Sequence, residues 1–290
     1  MRRKRYFVLF FFALALVVFS AASPIFMPQK GVISTPSDDP VVPENEVPDE
    51  DMPIFKNAID AWEYGINYMN NCKGYQYTSV TAAKAQITIG ITVEQTQNIF
   101  AVKQFCDGKS LETTFSQCDL SVGENSYMYV FVEDGMVDYK YAPSKYYNKE
   151  KDYCDFSKGW SEKKSYEDYL KVCQFGNEDF VYGINKKTAK QVSFRVSKNK
   201  TYEYVISLDG DKLDPRYKQF MAVASGATRI DYDRMIVSVV MSSLTGRFLT
   251  INKQETYSMD ARGFTLDVLQ TTESTFNKFD EKFEIVNRYK

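Results

Sequence analysis

Residues 127–141 read YMYVFVEDGMVDYKY, and the pairing they imply decides the class of fold. Asp134-Gly135 is a turn signal between two β-rich arms, because Asp and Gly tolerate the positive φ of a tight hairpin turn. The two arms are therefore antiparallel neighbours. The first arm, Tyr127 to Val132, is apolar on both faces, so it belongs inside a sheet with cover on each side. The run MIVSVVM at 235–241 has much the same character.

Around these central strands the chain alternates as half-buried strands do. Ile87, Ile89, Ile91 and Val93 alternate with polar residues or glycine and predict one strand. Val192, Phe194 and Val196 predict another, and SKNK at 197–200 turns it into Tyr202, Tyr204, Ile206 and Leu208. Phe264, Leu266, Val268 and Gln270 alternate with Thr265, Asp267, Leu269 and Thr271, less cleanly, and predict a further strand. About eleven strands result. Three short amphipathic helices interrupt them. The first carries Phe55, Ala58, Ile59, Trp62, Ile66 and Met69 and ends before Gly74. The second carries Tyr166, Tyr169, Leu170 and Cys173, and the third carries Tyr217, Phe220, Met221 and Ala224, with Asp214 as cap and Pro215 in its first turn. There is no βαβ rhythm and no glycine-rich phosphate loop. The class is α+β: a large curved antiparallel sheet with the three helices gathered on its concave side.

The N-terminus supplies a location. Arg2, Arg3, Lys4 and Arg5 precede an apolar run from Tyr6 to about Ala22, the pattern of an export signal. As a helix the run spans about 25 Å, short for a hydrocarbon core of about 30 Å. A cleaved signal peptide, cut after Ala22, and a retained membrane anchor both fit residues 1–22. Either places the bulk of the chain outside the cytoplasmic membrane. Residues 23–53 hold seven of the nine prolines and many acidic groups, and predict an extended tether. Residues 54–290 form the extracytoplasmic domain, with a possible subdivision into 54–157 and 158–290.

Composition closes several routes. The chain has no histidine, which removes Ser-His-Asp and Cys-His catalysis and His-ligated zinc. Beyond residue 53 basic and acidic residues balance at 31 each, so no field for nucleic acid is expected. Cys72, Cys106, Cys118, Cys154 and Cys173 match no zinc spacing, and up to two disulfides would be feasible in an oxidising compartment. No metal, no cofactor and no enzymatic activity are expected.

The candidate binding residues fall into two sets. Trp62, Ile66, Met69, Phe220 and Met221 form apolar helix stripes that serve either as plain core or as the wall of a ligand cavity. Tyr139, Tyr141, Tyr146, Tyr147 and Trp160 interleave with lysines over residues 138–160, a surface suited to a polymer or an anionic headgroup. Asp209, Asp211 and Asp214 are dense enough to suggest calcium, yet turn and cap roles account for all three. The pairs Asp231/Asp233 and Glu178/Asp179 have nothing nearby to mark them as catalytic.

The leading helix around IFKNAIDAWEYGINYM, the long meander after it, and a closing strand pair, FTLDVLQTTESTFNKF and EKFEIVNRYK, together resemble the LolA and LppX type of half-barrel carrier. The resemblance covers nearly all of 54–290, is one of topology, and brings no signature residues. It implies an incomplete barrel with helices on the concave side and a cavity for acyl chains. Two tandem cystatin-like or NTF2-like units, split near residue 157, explain the same helix order. The expected function is binding of an apolar or lipid-like ligand at the outer side of the membrane. The alternative is a cell-envelope module that holds a polymer or protein through its aromatic and lysine surface.

Overall fold

A computed structural model describes residue 48 and residues 52–289, apart from 88–89, 107–108, 122, 166–181, 226, 262 and 281. The predicted N-terminal segment, most of the tether and the helix predicted around Tyr166–Cys173 lie outside the described residues. Among the described residues no helix is long and apolar enough to cross a membrane.

Helix α1 (Ala58–Asn71) leads into β1 (Gly74–Ile87), β2 (Thr92–Cys106), β3 (Lys109–Leu120), β4 (Ser126–Glu133) and β5 (Met136–Pro143). A small ribbon of β6 (Tyr147–Asn148) and β7 (Tyr153–Cys154) follows, then β8 (Trp160–Ser165). The second part of the chain runs through β9 (Ala189–Ser197), β10 (Thr201–Asp209), α2 (Pro215–Ser225), β11 (Arg229–Ser242), β12 (Phe248–Ala261) and β13 (Phe264–Phe279). Eleven strands form one open antiparallel sheet in the order β8-β5-β4-β3-β2-β1-β13-β12-β11-β10-β9. This is a half-barrel of the α+β class.

The order is two meanders stitched together at their middle. β1 pairs with β13 from Tyr75 opposite Phe279 to Ile87 opposite Leu266. Because one sheet passes through both parts, the tandem cystatin-like or NTF2-like alternative does not describe this chain. The pairing of β5 with β8 across residue 157 makes the same point locally.

The 127–141 hairpin forms as the sequence predicts. Asp134 and Gly135 have φ of 50° and 73°, and seven of the eight residues of β4 are buried. Two predicted elements differ. The alternating series at 87–93 is not one strand: Ile87 ends β1, Ile91 is exposed, and Gly90 turns the chain with φ of 84°. Ile87 and Ile91 are bonded to each other across this turn, so the apparent period spans two strands. The predicted closing strand EKFEIVNRYK does not exist either, since β13 is already paired on both edges. The described part of this tail packs instead on β3–β5, where Tyr289 meets Tyr129 and Phe156 with ring centres 4.7 and 4.8 Å apart.

Helix α1 starts where Asn57 caps it, accepting from the Asp60 amide at 2.9 Å. It is tied to β9 by the Ala58 amide donating to Gln191 at 2.7 Å. Its buried face, Ala58, Ile59, Ala61, Trp62, Gly65 and Met69, closes on the sheet. Gly65 is required there, because a Cβ would stand 2.4 Å from the Phe248 ring. Helix α2 lies against β11 on the same face, which we call the inner face.

Candidate functional site

The register places every inner-face side chain in rows that cross the sheet. One row is Glu255, Gln270, Ala83 and Gln95; the next is Lys253, Thr272, Thr81, Gln97 and Cys118; the third is Ile251, Ser274, Ser79, Ile99 and Ser116. To one side of these rows the inner face carries Tyr75, Tyr77 and Phe276, and to the other Ile87, Val93, Val268 and Leu266, all buried. A polar belt thus crosses β12, β13, β1, β2 and β3 between two apolar zones.

The belt changes character along its length. Under α2 it is fully paired. Lys253 and Glu255, 2% and 0% exposed, form an ion pair at 2.7 Å. Lys253 also donates to the Tyr217 hydroxyl at 2.7 Å, Tyr217 donates to Glu255, and Gln270 donates to Glu255 at 3.2 Å. The Tyr182 and Tyr217 rings stand 5.1 and 5.0 Å from the Lys253 ammonium. Burial pulls the Lys253 pKa down, and the Glu255 charge opposes that shift. Burial, with the Glu255 charge added, pushes Tyr217 and Tyr232 well above the usual phenol range. Both effects follow from removing water around a charge.

Across β13 to β3 five side chains of the belt carry atoms that lack such pairing. Ser274 Oγ, Ser79 Oγ, Gln95 Oε1, both amide atoms of Gln97 and Ser116 Oγ are buried, and none has a hydrogen-bond partner among the described residues. The amide nitrogen of Gln95 is used, donating to Cys118 Sγ at 2.8 Å. Leaving a buried polar group unsatisfied costs about 1–3 kcal/mol, against a net domain stability of about 5–15 kcal/mol. Five such side chains in one patch would take a large share of that margin. Buried side-chain atoms without a partner also occur away from the belt, at Asp138 Oδ1, Tyr232 Oη, Thr250 Oγ1, Asn252 Oδ1 and Thr271 Oγ1, so the belt is distinguished by how closely its own are grouped.

The predicted apolar residues sit beside this belt. Trp62 is buried against Phe248 and Tyr182, with ring centres 5.4 and 6.1 Å away. Met69 and Met221 are buried in the same cluster and Ile66 packs on its margin. Phe220 belongs to α2, and its side chain lies outside the described residues.

The predicted aromatic surface divides between two faces. Tyr139 and Tyr141 stack on Trp160 at 5.3 and 6.1 Å, at the inner side of the β5–β8 edge. Tyr147 lies on the other face, stacked on Tyr127 at 4.3 Å and donating to Asp152. Tyr146 has the Lys145 ammonium 5.2 Å from its ring. Several lysines of the stretch are paired: Lys140 with Asp138 at 3.0 Å and Lys145 with Glu124 at 2.8 Å.

The acidic candidates are engaged too. Asp209, Asp211 and Asp214 pair with Lys190, Lys212 and Arg216 at 3.2, 2.7 and 3.0 Å. Asp231 pairs with Arg229 at 3.2 Å, and Asp233 accepts from Thr256 at 3.1 Å. Glu178 and Asp179 lie outside the described residues. Among the described residues no cluster of three or more Cys, Asp or Glu could hold a metal ion. Cys72, Cys118 and Cys154 are free thiols, each buried.

The belt residues escaped sequence reading. Val93, Gln95, Gln97, Ile99 and Ala101 share one side of β2, and nothing in the two glutamines themselves marks them as buried. Only the phase set by Val93 and Ile99 could have turned them inward.

Fold and belt together define an open half-barrel with an amphipathic interior. Two solved structures show a low-scoring similarity to the chain. A LolA superfamily protein from Nitrosomonas europaea is 10% identical, with 77% of this chain and 95% of that one covered and a TM-score of 0.24. A beta-barrel-like protein with a domain of unknown function from Brucella abortus is 8% identical, with 71% of this chain and 100% of that one covered and a TM-score of 0.20. No family model and no curated protein sequence matches the chain.

Proposed function

We propose that this chain is a non-enzymatic binding protein that holds a lipid-like ligand inside its half-barrel, at the outer side of the cytoplasmic membrane. One observation carries the reading: five side chains of the inner-face belt, Ser79, Gln95, Gln97, Ser116 and Ser274, hold buried polar atoms without partners, set between two largely apolar zones. An apolar tail would lie on those zones, where its burial is worth about 25 cal/mol per Å². The polar end would supply the hydrogen bonds the belt lacks. The basic residues at 2–5 and the apolar run after them support export, and the proline-rich acidic stretch supports a tether that holds the domain off the membrane.

Native mass spectrometry of the full chain, as it matures in a lipid-containing host, tests this reading. Added mass that resolves into an acyl-bearing molecule on denaturation is the expected result. A clean apo mass, with no uptake when lipid is offered, would overturn it.

A second reading has one observation in its favour. Trp160 is 42% exposed and stacks between Tyr139 and Tyr141 at the edge of the sheet, a platform suited to a sugar ring of an envelope polymer. Polymer retention lost with Trp160→Ala, alongside a clean apo mass, would favour it over the first.

A further inference from the structure

Resting on the ligand-binding reading above, we propose that the belt selects an uncharged head group bearing hydroxyl or amide groups, with Ser79, Gln95, Gln97, Ser116 and Ser274 as its recognition residues. None of these side chains carries a charge. The nearest buried charges on the inner face are already neutralised, Lys253 by Glu255 at 2.7 Å on the belt and Lys103 by Glu112 at 3.5 Å in the row of Tyr75. A phosphate, carboxylate or ammonium head would enter without a counter-charge, and burying an unpaired charge is far costlier than burying a neutral polar group.

The atoms on offer narrow the class further. Gln95 presents only its carbonyl oxygen, because its nitrogen is engaged with Cys118. Gln97 presents both a carbonyl oxygen and an amide nitrogen, and each serine hydroxyl can donate or accept. A ligand that only accepts, such as a simple ester or ketone, leaves the two glutamine oxygens unmet. The head group must therefore donate as well as accept. The four strands from β13 to β3 are adjacent, so at about 4.8 Å per strand the five side chains cover about 14 Å across the sheet. That span suits a head group with several hydroxyls better than a single one.

The test compares three probes with the same twelve-carbon chain, each below its micellar concentration, against the full-length protein by calorimetry: glycerol monolaurate, dodecyl phosphate and dodecyltrimethylammonium. Glycerol monolaurate is expected to bind at least about tenfold more tightly than either charged probe. Gln97→Met and Ser79→Ala should each weaken it by about fivefold to tenfold and leave the charged probes unchanged. Equal affinities, or a preference for a charged probe, would overturn the proposal while leaving a lipid-binding interior in place. A neutral preference untouched by both variants would overturn the residue assignment. No binding of any probe would remove the ligand-binding reading itself, and this proposal with it. If a variant fails to fold, the ranking of the three probes on the unaltered chain still decides the head-group class.

Discussion

Replacing Glu255 by Gln should be among the most damaging conservative changes in this chain. The substitution keeps shape and hydrogen-bonding atoms but removes the charge that compensates Lys253. Both side chains are essentially inaccessible, and the carboxylate receives Lys253 at 2.7 Å, Gln270 at 3.2 Å and the Tyr217 hydroxyl. Breaking a buried pair from one side costs about 3–5 kcal/mol, because the remaining charge has no water to return to. For a domain of this size each kcal/mol lowers the thermal midpoint by about 2–4 °C. The double variant Lys253→Met with Glu255→Leu should recover most of the loss, since two apolar groups need no partners. It leaves the Tyr217 hydroxyl and the Gln270 amide to relax, so full recovery is not expected. Urea unfolding of the full chain, followed by far-UV circular dichroism and by the fluorescence of Trp62 and Trp160, measures all three proteins. A single variant within 1 kcal/mol of the parent, or a double variant as unstable as the single one, would refute the electrostatic account of this cluster.

Three further outcomes are expected. Stability should fall as pH rises above about 9, because burial raises Cys72 and Cys154 to about 11 and Cys118 to about 12 and pushes Tyr217, Tyr232 and Tyr257 upward. The unfolded chain releases these protons first, so the contribution is complete below the unfolded thiol value and is lost toward the folded ones; Lys253, shifted the opposite way, offsets part of this below its usual value. Absorbance at 295 nm should then show tyrosines ionising together with unfolding, and stability unchanged from pH 8 to 12 would contradict it. Gly210→Ala should cost about 2 kcal/mol or more, since its Cβ would fall 1.7 Å from the Tyr232 carbonyl oxygen, whereas Gly90→Asn, in open space at φ of 84°, should cost little; chemical denaturation of the two variants makes the comparison. Peptide mapping after alkylation at pH 8 should find Cys72, Cys118 and Cys154 labelled only in denaturant, and rapid native labelling at any of them would contradict the packing described.

What the sequence made legible follows from range. The hairpin at 127–141 could be read because turn and arms are contiguous, and α2 because Asp214, Pro215 and the residues after them carry its start locally. The series from Ile87 to Val93 misled because an alternating pattern does not record a reversal of direction. The tail after Asp280 looked like a strand by composition, but whether a β-prone segment pairs depends on whether an edge remains, and β13 leaves none. The belt was hidden for a related reason. Ser79, Gln97 and Ser274 are ordinary polar strand residues until the pairing of β1 with both β2 and β13 brings them together across the inner face. The chemistry of this interior is a property of register, assembled from two distant parts of the chain, the meander from β1 to β3 and the closing strands β12 and β13.

The stitch between β1 and β13 also sets an order of events in time. The strands from β1 to β5 can pair as soon as they are made, since each neighbour is local. Tyr75 and Phe279 lie at opposite ends of the domain, and contacts of such separation are slow to form. Until residues 264–279 emerge, β1 remains an open rim with unpaired amides and carbonyls, the kind of surface on which growing chains adhere to one another. The centre of the finished sheet is thus the last seam to close, and a chain shortened before Phe264 would keep its first meander with an adhesive edge exposed.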